Sequence, residues 1–157
     1  MTTTRDVENF LALRRIAMVG VSRDQQDFSR KLVREMRDRG YDMVPVNLIA
    51  DEIDGKECFQ SLQVINPPVE GVLVMTPAYE AIRVVRDCLE AGIHHVWLYR
   101  AVGQGAVSAE AVTFCKQNNI DVVEGHCPFM FFPKTGFPHR AHGLLLKLMR
   151  RYPARAA

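Results

Sequence analysis

The sequence contains no apolar run approaching the ~20 residues that a membrane-spanning helix needs, and its opening stretch, MTTTRDVENF, is too polar for a secretory signal. Its four cysteines, at 58, 88, 115 and 127, include no C-x-x-C pair, which excludes a dithiol redox motif and a zinc ribbon. With no export signal, reduced thiols and a cytoplasmic location are the expectation. No G-x-S-x-G elbow is present, and Ser22 has no neighbouring partner for a Ser-His-Asp arrangement. Cys127, His139 and His142 offer zinc-compatible atoms, but in a loose pattern with fewer than four firm ligands, so no metal is expected. There is no internal repeat. Acidic residues are absent from 133–157, which carries six basic ones, whereas the preceding 132 residues carry 14 basic and 18 acidic groups, a net of −4.

What is present is ordinary globular usage. An apolar fraction of 48% and a charged fraction of 24% rule out a collagen-like, disordered or coiled-coil chain, and 157 residues suffice for one self-supporting core. Apolar periodicity predicts strands over 16–21, 42–46, 71–75, 95–98 and 120–123. Between and before them it predicts helices over 6–14, 28–39, 79–91 and 107–118. The run Ile16-Ala17-Met18-Val19-Gly20-Val21 is continuous, as in a strand buried on both faces. The stretch 48–69 has no helical period and is expected to hold short turns. Strands alternating with helices of 10–15 residues point to an α/β fold. Its expected form is a three-layer, doubly wound, Rossmann-like arrangement around a parallel five-stranded sheet.

The domain boundaries follow: 1–132 forms the Rossmann-like body, and 133–157 supplies a basic C-terminal helix, centred on 139–151, that docks on it. Leu144, Leu145, Leu148 and Met149 give that helix an apolar stripe. Phe129, Phe131, Phe132 and Phe137 are expected to pack on the body or on a second subunit. The basic tail alone would suit a nucleic acid or an anionic surface, but no RNA-binding aromatic motif or DNA-reading helix pair accompanies it. A solvated face on a docked helix is the expectation, with no membrane and no nucleic acid as partner.

In a doubly wound sheet the ligand crevice lies at the carboxyl ends of the strands, where their order reverses. Gly20-Val21-Ser22 follows the first strand, and a glycine there lets a phosphate approach the backbone and the next helix start. The dinucleotide fingerprint G-x-G-x-x-G is incomplete, because Ser22 and Gln25 stand at its second and third glycines. Where an acid should clamp the ribose of NAD, the text reads Pro45-Val46-Asn47. Cys127, in His126-Cys127-Pro128, lies at the same edge; a buried structural role is expected of it rather than a reactive thiol. His94 and His95 read as a strand-edge pair, and Asp51-Glu52 as solvated carboxylates.

The runs IAMVGVSRDQQDFSRKLVREMRDRGYDMVPVN, GKECFQSL, VLVMTPAYEA, AGIHHVWLYRAVGQGAVS and NNIDVVEGHCP resemble the small CoA-binding proteins. Those are similar in turn to the N-terminal CoA-binding domain of the succinyl-CoA synthetase α subunit. The resemblance spans about 16–128. It implies that coenzyme A phosphates lie at Gly20, Val21 and Ser22, with Ser29, Arg30 and Lys31 beside them. It further implies Pro45, Val46 and Asn47 on the adenosine side, Met75, Thr76 and Pro77 beneath the nucleotide, and Tyr99, Arg100 and Ala101 near the pantetheine. Family members reading Gln-Leu-Gly after the tryptophan differ from Leu98-Tyr99-Arg100 here. Synthetase chemistry resembles a relay through a phosphohistidine on a second domain, with an ATP-grasp partner, and none of the five histidines stands in such a loop. The expectation is therefore a non-catalytic CoA or acyl-CoA binding protein, not an enzyme, with a homodimer or an enzyme as protein partner. An NAD(P)-binding protein and an interaction subunit with a vestigial nucleotide site are the alternatives.

Overall fold

Successive residues of the first strand, β1 (Arg15–Val19), bury their side chains on opposite sides. Ile16 and Met18 enter one apolar cluster and Ala17 the other, so a single strand has a core on each face. This computed structural model describes residues 1–132. The elements are α1 (Thr4–Leu11), β1, α2 (Phe28–Asp38), β2 (Asp42–Val46), β3 (Glu52–Ile53), β4 (Lys56–Glu57), β5 (Gly71–Val74), α3 (Ala78–Glu90), β6 (His95–Leu98), α4 (Ala109–Gln117) and β7 (Asp121–Glu124). A single 3-10 turn, Pro128–Met130, follows. The expected helix 139–151, and with it the docking segment 133–157, Phe137, His139 and His142, lie outside the described residues.

Five strands form one parallel sheet in the order β2-β1-β5-β6-β7. The expected doubly wound fold is what forms. Because β5 is the third strand of this sheet along the chain, the order is that of a flavodoxin-like sheet, with its reversal between β1 and β5. Val7 and Phe10 of α1 and Leu32, Val33 and Met36 of α2 cover one face, where Trp97 is fully buried. Val84, Val85 and Cys88 of α3 and Val112 and Cys115 of α4 cover the other.

Local chemistry explains the boundaries. The first helix begins at Thr4, earlier than its apolar period indicates, because Thr3 and Asp6 form a capping box. The segment 48–69 holds no long helix but contains a small hairpin, β3–β4, whose Asp54-Gly55 loop has positive φ at both residues, the geometry a two-residue hairpin turn requires. A parallel bridge from Val46 to Phe59 lays this segment along the outer edge of β2, shielding an edge that would otherwise present unpaired backbone. After β7 the aromatic run turns back onto the body. Phe131 packs edge-on against Trp97, Phe129 against Phe28, and Arg39 stacks over Phe132.

Candidate functional site

The reversal point places the carboxyl ends of β1 and β5 side by side, with Val19 opposite Val74 on one side and Val46 on the other. Gly20 leaves β1 with φ +93, and its N–H donates to Val46 O at 3.2 Å. A Cβ at this position would lie 2.9 Å from the Thr76 nitrogen and 3.1 Å from the Met75 carbonyl carbon. The glycine is thus required by the approach of the neighbouring strand's exit and by its own backbone angle. The room a side chain would take belongs to protein backbone, not to a ligand.

Beside this turn opens a cleft of about 270 Å³. Its floor is Val19, Gly20 and Thr76. One wall is the loop after β2, with Val46, Asn47, Leu48 and Ile49, continued by Gln60, Ser61 and Leu62. The other wall is one face of α3, which presents Glu80, Arg83, Val84 and Asp87. Leu48 and Ile49 are exposed although apolar, as expected of a pocket rim that a flat ring can cover. Arg83 has no carboxylate within ion-pair distance among the described residues.

Asn47 builds the rim. Its Nδ2 donates to Val21 O at 2.8 Å, and its Oδ1 accepts from the Ile49 and Ala50 amides at 2.9 and 3.1 Å. The side chain closes an Asx turn and ties the loop after β2 to the glycine turn. Val21 is itself fully buried.

At the start of α2 the side chains expected beside a phosphate are engaged with one another. Asp27 caps the helix through Oδ1, accepting from Ser29 N and from the Ser29 hydroxyl. Ser29 Oγ in turn accepts from Ser22 N at 2.9 Å, and Ser22 Oγ accepts from Asp24 N. Arg30, only 5% exposed, forms a two-pronged ion pair with Asp54 of the hairpin turn, and its Nη1 donates to the carbonyls of Ser22 and Arg23. The Arg30 guanidinium holds the Asp54 carboxyl below the usual carboxylate range. Ser22, Ser29 and Arg30 thus brace one another, and Lys31 lies exposed on α2, away from the cleft lining.

The other expected positions divide. Strand alternation sends Val46 to the cleft side and Pro45 to the opposite face. Met75 packs into the cluster beneath α2. Pro77 stands at the N-cap of α3 and lines a second depression of about 360 Å³ between the starts of α3 and α4, together with Tyr79 and Gly105. Tyr99 is drawn to the α1–α2 face, tilted against Phe28 at 5.7 Å and hydrogen-bonded to Cys127. Arg100 reaches over Gly125, and Ala101 opens the following loop; neither lines the main cleft. Cys127 is buried, and that burial pushes its thiol up to about 11. It is therefore protonated at neutral pH.

The structure thus brings Gly20, Val46, Asn47 and Thr76 together, and adds the α3 face and the 60–62 turn that sequence reasoning missed. The signal for the former was the spacing 80, 83, 84 and 87, which marks one helical face. The 60–62 turn has no period to read.

The chain matches the family described as "CoA binding domain" over residues 14–133. It is 31% identical over 114 residues to the uncharacterized protein YneT of Bacillus subtilis (strain 168), covering 73% of this chain and 82% of that one. A conserved hypothetical protein from Pyrococcus furiosus superposes with a TM-score of 0.66 at 26% identity, over 73% of this chain and 95% of that chain. The dinucleotide forming acetyl-coenzyme A synthetase 1 of Ca. Korarchaeum cryptofilum, in complex with phosphate and ADP, has a TM-score of 0.66 at 22% identity. That match covers 78% of this chain and 28% of the enzyme, and shares the fold.

Proposed function

The chain belongs to the CoA-binding domain family, and from that premise we propose that it binds coenzyme A, or an acyl-CoA, without catalysing a reaction itself. The observation that carries this reading is the cleft at the strand-order reversal: an apolar slot between the loop after β2 and α3, rimmed by polar groups at its mouth. A purine ring suits such a slot. The pantetheine arm would cross the start of α3 towards the depression beside Tyr79, which is 78% exposed. That route replaces the one past Tyr99, whose ring is occupied on the opposite face.

Asn47 also favours CoA over NAD. The acid that clamps an NAD ribose accepts hydrogen bonds from its hydroxyls, whereas Asn47 Oδ1 already accepts two backbone amides. Titration calorimetry with CoA, acetyl-CoA, dephospho-CoA, NAD and NADP is expected to show saturable CoA binding at least about tenfold tighter than NAD, about 1.4 kcal/mol. Tighter NAD binding would overturn the reading.

At this edge the Cys127 thiol is buried and held protonated. Incubation with ATP, succinate and CoA is expected to yield no ADP, phosphate or thioester above background. Turnover abolished by one histidine substitution would show the chain to be an enzyme. Among the described residues, no helix is long and apolar enough to cross a membrane.

A further inference from the structure

The cleft wall on the β2 side is built by a strap with little to hold it locally. Residues 47–62 leave β2 at the cleft, pass around the sheet edge into the α2 layer, and return. Both ends of the strap line the cleft, Asn47, Leu48 and Ile49 on the way out and Gln60, Ser61 and Leu62 on the way back. Its middle is the β3–β4 hairpin, with two residues in each strand. A lone two-stranded hairpin is marginal in water, and between 51 and 58 only Ile53 and Cys58 are buried.

At the hairpin tip a charge cluster adds what apolar burial does not. The Asp54 side chain, 20% exposed, meets two arginines one turn apart on α2. Arg30 reaches it by two hydrogen bonds and Arg34 at 3.8 Å. Each arginine also holds the loop that leaves the cleft floor at Gly20. Arg30 Nη1 donates to the Ser22 and Arg23 carbonyls at 3.3 and 3.2 Å, and Arg34 Nη2 donates to the Gln25 carbonyl at 3.1 Å. The strap and that loop are thus fastened to one helix by the same two side chains. Buried pairs are screened far less than exposed ones, so Arg30 supplies most of the grip and Arg34, with 48% of its side chain exposed, less. None of the three residues lines the cleft itself.

We propose that Arg30 and Arg34 are positioning residues for the ligand site: by gripping Asp54 they keep the strap in place as a cleft wall, and so set how readily the cleft accepts coenzyme A. The proposal rests on the CoA reading for its ligand and adds control of the site by a clamp outside it. The contribution is preorganisation. A freed strap spends part of its time away from the wall position, and affinity falls with the fraction in place.

Asp54→Asn separates the clamp from the turn, because Asn-Gly suits a two-residue hairpin as well as Asp-Gly does, while the carboxylate that both arginines grip is gone. Arg34→Gln removes the exposed member alone, and decides the matter by itself should Asp54→Asn fail to fold. Glu35→Gln is the control, since it breaks a surface pair on α2 that has no link to the strap. Stopped-flow binding of CoA, at a temperature where each variant is folded, is expected to show association slowed about tenfold in Asp54→Asn and about threefold in Arg34→Gln. Dissociation should stay unchanged, and Glu35→Gln should behave as the unmodified protein. Hydrogen exchange without ligand is expected to quicken at the Ile49, Ala50 and Cys58 amides in the same order of variants, and not at Met75 or Tyr99, whose amides pair along the sheet. Association equal to that of the unmodified protein in the folded variants overturns the proposal. Faster dissociation alone also overturns it, because that marks a direct contact with the ligand. Failure of CoA to bind the unmodified protein would sink the CoA reading. Exchange at the three strap amides would then still decide the clamp, upheld if it quickens and overturned if it does not.

Discussion

Gly20→Ala is expected to destabilise the protein by about 3 kcal/mol, the sum of a backbone held in a positive-φ conformation and a methyl group forced against a neighbouring strand. The β-carbon would stand 2.9 Å from the Thr76 nitrogen, a contact that backbone cannot yield without moving β5's exit. Val19 and Met75 are joined there by a 2.8 Å hydrogen bond, so relief by displacement would break sheet pairing. Gly20→Val is expected to cost more and to leave little folded protein. The sequence alone suggests the reverse, that a larger residue would block phosphate and spare the fold. Urea denaturation of Gly20→Ala measures the difference. A midpoint equal to that of the unmodified protein would mean that the turn at Thr76 adapts, and that the glycine is there for a ligand after all.

Arg30→Met is expected to cost about 3–5 kcal/mol, the usual result of removing one partner from a buried ion pair. The methionine fills similar space but leaves the Asp54 carboxylate and the carbonyls of Ser22 and Arg23 without their donors. Its pH dependence gives an independent check. Arg30 holds the folded Asp54 carboxyl below its ordinary value, chiefly through their hydrogen bonds. The stabilisation is therefore complete above the unfolded carboxylate range, about pH 4, and is lost as pH falls through the lower folded value. In Arg30→Met the same carboxyl loses its hydrogen bonds and keeps only the longer contact with Arg34, at 3.8 Å, so its folded value rises toward the ordinary range. The variant should recover part of its deficit on acidification. Equilibrium unfolding at pH 7 and pH 4 reads both effects. An equal deficit at the two pH values would show that the Asp54 pair is not what Arg30 contributes.

These two residues mark where local reading stops. The order of strands and helices was legible because each element carries its own period. Ile16–Val21 reads as apolar throughout since β1 is buried on both sides, and Leu32, Val33 and Met36 recur at helical spacing because α2 buries one stripe. The edge that carries the site followed from topology, for a parallel sheet opens its crevice where strand order reverses. Gly20 was reachable on those grounds, and Val46, Asn47 and Thr76 only through the resemblance to the CoA-binding proteins. Which side chains face that crevice was not. Arg30 beside a glycine turn looks the same in sequence whether it awaits a phosphate or pairs with Asp54, 24 residues away in a hairpin that no periodicity announces. Arg83 and Glu80 carry ordinary surface charges along α3 until packing turns that face into a wall. Patterning records how much of an element is buried and on which face. Pairing of charges and the closing of a helix end depend on what distant segments bring into contact, and that is settled only when the sheet assembles.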